Sequence, residues 1–483
     1  MRILLASSEV HPYSKTGGLA DMVGALAKTL VRKGHRVGVV TPLYAGIRER
    51  FPGLRQVDFP VDILLGAQQL RAELWTLEPT AGLTVYFVDQ PAFYLRRDLY
   101  QENGNDYPDN AERFIFFSKV AVRLAQDLVW KPEVLHVHDW QASPAALLLY
   151  HERKLKGQGT APGICLTIHI LAYQGLFPAS RYGLMNLPPA YFTPRGVEFY
   201  GQLGCLKAGL VYSDVITTVS PRYAREITTE ELGCGLDGLL RQRNSSLIGI
   251  LNGVDYEEWN TVNDPFLKHP YSAADLSGKI ANKLSLQHEF GLPADARIPL
   301  FGSIGRLAEQ KGVEIMLAAL EQEIPGANLQ FVLVGSGTPG FQSAFQDLAR
   351  RFPSKVAVRI GFDEGLSHRI EAGSDFFLMP SRFEPCGLNQ MYGLRYGTIP
   401  IVRTTGGLDD TVIDVREDTE QADGIKFIDY SGSALAKGIS KALALFEQPE
   451  LLKHFQQNAM AADFSWDRTI AEYLRAYQRA VAV

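Results

Sequence analysis

Four cysteines in 483 residues, none in a CxxC spacing, leave no disulfide framework and no zinc ribbon to read. Cys165, Cys205, Cys234 and Cys386 are expected as reduced thiols of a cytoplasmic protein. Long apolar runs are also missing: none approaches the roughly 20 residues that a membrane span needs. There is no basic excess, since 48 Lys and Arg face 53 Asp and Glu for a net charge of −5. That balance argues against a nucleic-acid partner, which selects for a basic stripe. No low-complexity tract or short repeat stands out. The opening MRILLASSEV carries one positive charge and turns polar too soon for a signal peptide, so it reads as a core strand.

What is present is the composition of a soluble globular chain, 46% hydrophobic and 21% charged. Length alone suggests roughly three domains at about 150 residues each. The periodicity, however, divides the chain into two βα halves of similar size, with a hinge near Gly253 and a ligand expected between them. The stretch that organises the rest is SRFEPCGLNQMYGLRYGTIPIVRTTGGLDD, Ser381 to Asp410. The apolar run DFFLMP precedes it and IPIV lies within it, so strand, loop, helix and strand form one parallel βαβ step. Ligands of such sheets bind beyond the carboxyl ends of the strands. The first end carries the lone carboxylate of Glu384, then an expected helix N-terminus with free N–H donors at Cys386, Gly387 and Leu388. The second carries Thr404, Thr405, Gly406 and Gly407, small residues that let backbone approach a phosphate. One carboxylate and two amide-lined loops suit a sugar nucleotide.

Taken in order, Arg2 to Ala6 is a strand. SSEVHPYSKTGG then leads into an apolar-faced helix with Leu19, Val23, Leu26 and Leu30 on one side. This βαβ lacks the GxGxxG of dinucleotide sites. Lys15 beside Gly17 and Gly18 suits a diphosphate, although a surface lysine on a flexible loop has the same pattern. Residues from about Leu54 to Asp89 alternate apolar and polar, predicting a strand pair inserted in the sheet. A Tyr- and Asp-rich loop, Tyr94 to Asn110, precedes the helix expected over Ala111 to Leu128.

In PEVLHVHDW, His136 and His138 fall on one side of a strand. Zinc would need a third ligand, for which only Asp139 is near. The preferred reading delivers Asp139 and Trp140 to a ligand cleft, the indole stacking on sugar and the carboxylate taking hydroxyls. His169 ends another strand, CLTIHILAYQG, where it is either a core histidine or a cleft residue. Arg306 and Lys311 flank the loop after PLFGSIGRL, two cations at one strand end. An amphipathic helix, Trp466 to Val481, closes the chain.

Together KTGGLAD, YPDNAERFIFFS, HVHDWQA, IHILAYQG, LKAGLVYSD, GILNGVD, GRLAEQKG, SRFEPCGLNQMYGLRYG and RTTGGLDDTV resemble the bacterial glycogen synthases and plant starch synthases. The likeness runs in register from residue 1 to about 480. It implies the α/β GT-B fold, with two Rossmann-like domains facing each other across a deep cleft. The first would span 1–252, completed by 466–483, and the second 253–465. It implies transfer of glucose from ADP-glucose to the non-reducing 4-hydroxyl of an α-1,4-glucan, with retention, no metal and no cofactor. By the same likeness Lys15, Gly18, Arg306 and Lys311 hold the diphosphate, and Asp21 and Asn252 line the donor and acceptor cleft. Asp139 faces the acceptor, His169 the glucosyl 6-hydroxyl and Glu384 the glucosyl hydroxyls near the reacting carbon.

Elementary chemistry agrees with this assignment. Without a metal, the departing ADP must be stabilised by fixed cations and amides. A guanidinium binds phosphate oxygens bidentately, while lysines act as point charges. Retention without a second carboxylate about 5 Å away leaves front-face attack open. Two departures from the family pattern stand out. Ile170 replaces the usual Asn of HNLAYQG, which bears on loop geometry or acceptor contacts. Phe362 stands where the bacterial enzymes carry a Tyr that stacks on adenine; stacking survives, the hydroxyl's hydrogen bond does not. The alternatives are a UDP-glucose or malto-oligosaccharide synthase of the same fold, or a weakened glucan-binding paralogue. The missing glycine fingerprint disfavours a nicotinamide oxidoreductase, and the lack of a pyridoxal-lysine motif disfavours a phosphorylase.

Overall fold

The computed structural model describes residues 1–102, 104–156 and 161–482. Val483 of the expected 466–483 segment and residue 103 of the Tyr94–Asn110 loop lie outside that range. The chain forms two units: Met1–Gly253 with Trp466–Val483, and Val254–Ser465.

In the first unit a nine-stranded sheet runs in the order Leu247–Gly249, Val215–Thr218, Gly163–Ile168, Val134–His138, Arg2–Ala6, Arg36–Pro42, Leu83–Asp89, Gln68–Thr80 and Arg55–Leu65. The first seven of these are parallel, and the last two form an antiparallel hairpin at the edge. Parallel strands are covered on both faces, so they read as unbroken apolar runs: Ile3, Leu4, Leu5 and Ala6 are all fully buried. The expected strand pair over 54–89 is in fact three strands. Leu83–Asp89 belongs to the parallel sheet beside Arg36–Pro42, and only the other two form the added hairpin. Its alternation, with exposed and buried residues interleaved, marks an edge with one wet face.

The helix Trp466–Val481 completes this unit from the far end of the chain. Trp466, Ile470, Tyr473, Tyr477 and Ala480 are buried along one stripe. Gly163 lies so close to the Ala480 carbonyl that a Cβ there would approach its oxygen to 2.5 Å. Thr469 donates to the Leu251 carbonyl at 3.1 Å, and Asp467 pairs with Lys33 at 2.8 Å.

The second unit has a six-stranded, wholly parallel sheet: Val356–Ile360, Gln330–Gly335, Leu300–Ile304, Phe376–Met379, Ile399–Arg403 and Ile425–Phe427. Successive side chains supply opposite cores. Phe301, Phe331, Leu333, Phe376, Leu378 and Ile401 pack with the helices Val313–Glu323 and Gly432–Phe446. Leu300, Val332, Val334, Phe377, Met379 and Val402 pack with Ser277–Glu289 and Glu364–Gly373. Each such side chain contributes about 1.5–3 kcal/mol by leaving water. Among the described residues, no helix is long and apolar enough to cross a membrane.

Candidate active site

In each unit the residues singled out from sequence stand at the carboxyl ends of parallel strands. In the first unit, Lys15 pairs with Asp21 at 2.9 Å. Gly17 is extended, and the helix begins at Gly18. The loop holding them is gripped by Glu9, a buried carboxylate that the sequence reading passed over. It accepts the Thr16 N–H and hydroxyl and the Tyr100 hydroxyl, the last two at 2.6 Å. The signal was available as a lone acid at the end of an apolar strand, ahead of KTGG.

Asp139 and His169 are brought together: the His169 N–H donates to Asp139 Oδ1 at 2.7 Å. Asp139 sits at φ +52, a left-handed conformation that costs a non-glycine residue energy and is retained where geometry demands it. Burial lifts its carboxyl to about 7, against the lowering effect of the N–H groups of His169 and Ile170. Burial lowers His169 to about 3, so its imidazole is neutral at physiological pH. His138 Nδ1 lies 3.2 Å from His169 Nε2. Behind it the His136 ring packs on His138 at 4.0 Å between centroids, tilted by 38°, and is held by Thr167 at 2.6 Å and the Tyr477 hydroxyl at 2.9 Å. Both ring nitrogens of His136 are therefore committed to protein partners. His136 and His138 do share one side of the strand, as packed neighbours in a column of neutral imidazoles.

Trp140 differs from the expectation. Its ring packs on Gly175, Phe114 and Phe177, so it serves as a wall of the loop instead of an open stacking face. Gly175 has φ +60, and a Cβ there would meet the indole at 2.4 Å, which requires glycine. Ile170 leaves the loop intact, because the loop is held by other groups. The Tyr223 hydroxyl takes the Leu171 N–H at 3.0 Å, and Gln174 donates to the Cys234 carbonyl at 2.9 Å. Asn252 is 5% exposed, and its Oδ1 has no hydrogen-bond partner among the described residues.

In the second unit, Glu384 is 5% exposed and accepts from Lys311 Nζ at 2.6 Å and Ser381 Oγ at 2.9 Å. Arg306 is exposed, and its guanidinium donates to Gln310 Oε1 at 3.4 Å. Phe362, after strand Val356–Ile360, is 78% exposed and presents an open ring. One expectation about amides needs correction. The helix after the PCG turn starts at Asn389, not at Cys386: Leu388 caps it, and Gly387 at φ +70 makes the turn. Gly406 and Gly407 also have a packing reason to be small. A Cβ on either would strike the Glu384 or Cys386 carbonyl, at 1.8 and 1.9 Å, and the Gly407 N–H donates to the Glu384 carbonyl at 3.0 Å. The glycine loop thus clamps the Glu384 loop, and Thr405 behind it is buried.

Two Rossmann-like units with charged and hydrogen-bonding side chains at their strand ends define a glycosyltransferase of the GT-B class. Residues 2–242 match the starch synthase catalytic domain family, and residues 287–461 match the glycosyl transferases group 1 family. The chain is 44% identical over 481 residues to a glycogen synthase of Syntrophotalea carbinolica, covering 100% of this chain and 99% of that one. It is 47% identical over 483 residues to a glycogen synthase of an Anaeromyxobacter species, with both chains covered in full. The catalytic domain of starch synthase IV from Arabidopsis thaliana, bound to ADP and acarbose, superposes with a TM-score of 0.90 at 35% identity, covering 100% of this chain and 99% of that one. A sucrose-phosphate synthase from Thermosynechococcus elongatus shares the fold, with a TM-score of 0.61 at 18% identity and 100% and 99% coverage. The chain belongs to the glycogen and starch synthase family and is a hexosyltransferase.

Proposed function

We propose that the protein is a cytoplasmic glycogen synthase that moves glucose from ADP-glucose to the non-reducing 4-hydroxyl of an α-1,4-glucan, with retention and without a metal. The observation that carries this reading is the Lys311–Glu384 pair at 2.6 Å, beside the exposed Arg306. The bond between the glucosyl carbon and the ADP oxygen breaks, and its electron pair goes to the phosphate. Arg306 and Lys311 stabilise the charge that develops there. The acceptor oxygen bonds the same carbon, and its proton passes to the leaving phosphate. Glu384 is already matched to an ammonium, which lowers its nucleophilicity. Its role is electrostatic support of the oxocarbenium-like centre, which favours front-face attack. His169, neutral and buried, is suited to hold the sugar's 6-hydroxyl, with Asp139 and Asn252 on the acceptor side and Asp21 beside Lys15. The Thr405 to Gly407 loop braces the backbone of Glu384 through the Gly407 N–H, and the amides of Cys386, Gly387 and Leu388 follow it in the chain.

The donor base is the finer question. The open ring of Phe362 suits a purine face, and the starch synthase IV structure holds ADP. The test is steady-state ADP or UDP release with glycogen as acceptor. We expect kcat/KM for ADP-glucose to exceed that for UDP-glucose by at least about tenfold, a difference of about 1.4 kcal/mol. Equal values would overturn the donor assignment, and no release with either would favour the weakened paralogue.

A further inference from the structure

The second unit carries a set of donor atoms that the transferase reading does not use. His368 lies on the helix Glu364–Gly373 and is 1% exposed. Its Nδ1 lies 2.7 Å from Asp264 Oδ2. That oxygen also accepts from the Tyr396 hydroxyl at 2.5 Å, while Oδ1 accepts the Phe266 N–H at 2.8 Å. With Nδ1 hydrogen-bonded to a carboxylate oxygen, Nε2 is the ring nitrogen left to face another ligand. That nitrogen is buried and has no hydrogen-bond partner among the described residues. The ring is also held in plane: Trp259 stacks on it at 3.8 Å and 10°, with Tyr392 stacked on the other side of the indole at 3.7 Å.

Two exposed carboxylates converge on the same imidazole. Glu364 is one helical turn before His368, so both share a face. Glu258 comes from the loop beside Trp259, and the three donor atoms lie within 4.8 Å of one another. A four-coordinate ion with bonds of about 2 Å holds its ligands about 3.3 Å apart. Small rotations of the two exposed side chains close that difference. An imidazole oriented by a carboxylate on its far nitrogen is the usual support of a metal-bound histidine.

We propose that Glu258, Glu364 and His368 bind one divalent cation of the zinc class, with water completing the shell, and that the ion staples the Glu258 loop to the helix Glu364–Gly373. Mixed nitrogen and carboxylate donors select such an ion over magnesium or calcium, which prefer all-oxygen shells.

The test uses the full chain after EDTA treatment and buffer exchange, titrated with Zn2+ by calorimetry and with Co2+ followed by visible absorption. We expect one site per chain with a Kd of about 1 µM or tighter. Zn2+ should raise the unfolding transition of the second unit by about 2–4 °C. Because His368 is buried in a stack, its replacement could unfold the unit, so the informative variant is the exposed double substitution Glu258→Gln and Glu364→Gln. It should fold as the parent does by circular dichroism, lose at least about tenfold in affinity, and lose both the cobalt band and the thermal shift. Equal Zn2+ binding by parent and double variant, or no saturable binding by the parent below about 100 µM, would overturn the proposal.

Discussion

The two units present chemically opposite ends. In the first, half-buried Asp139 joins the buried His138 and His169 in a hydrogen-bonded cluster whose histidines are held neutral by burial. In the second, Arg306, Lys311 and Glu384 carry formal charge, with Lys311 partly and Arg306 largely exposed. Hydroxyls of a sugar are recognised by neutral, oriented donors and acceptors, whose strength grows as water is removed. A phosphate ester gaining charge is stabilised by cations already in place.

The largest break in this contrast should come from the charged end. Lys311→Ala and Arg306→Ala are each expected to lower kcat by about 10²–10³-fold, because each removes a charge aimed at the leaving group. Lys311→Ala carries the added penalty of leaving Glu384 without its ion pair. Near-parental turnover in both would show the cations to be merely solvated.

A pH titration sharpens the buried end. With its carboxyl raised to about 7, Asp139 favours the folded state below about pH 4, and that contribution is lost as pH rises through 7. For activity the sign reverses, because only the ionised form accepts the loop N–H groups at full strength. His169, lowered to about 3, stays neutral over the whole window. An acid limb in kcat/KM near pH 7 is therefore expected, and Asp139→Asn should abolish it. An identical limb in that variant would assign it elsewhere.

The smallest effect is expected beside it. Ile170→Asn should change kcat by less than about threefold, since Asp139, Tyr223 and Gln174 hold the loop whatever side chain stands at 170. His169→Ala, one residue earlier, should cost on the order of a hundredfold. A parent inactive on ADP-glucose and glycogen but rescued by Ile170→Asn would reverse this ordering.

What could be read from the chain follows the same divide. KTGG, HVHD and EPCG are contiguous, and a strand followed by small or charged residues announces a strand end. The two-sheet plan and the placement of these residues were legible for that reason. Partners supplied from far along the chain were not. Tyr477 reaches His136 across 341 positions, and Glu258 meets His368 only after folding. The start of the helix at Asn389 also escaped, because Gly387 can enter a left-handed turn that propensity does not foresee. The third strand at Leu83–Asp89 was hidden by a hairpin with similar alternation.

The closing helix imposes an order of events on synthesis. The first unit leaves the ribosome as residues 1–253, yet Tyr473, Tyr477 and Ala480, which seal the His136 face, follow about two hundred residues later. At about 5–20 residues per second that delay is on the order of 10–40 s. Throughout it, the nascent first unit carries an open apolar seam along Gly163–Ile168, while the contiguous second unit can close its own sheet as soon as it emerges. The half that is made first is thus the half that finishes last, and the nascent chain must be kept from self-association until its final turn of helix arrives.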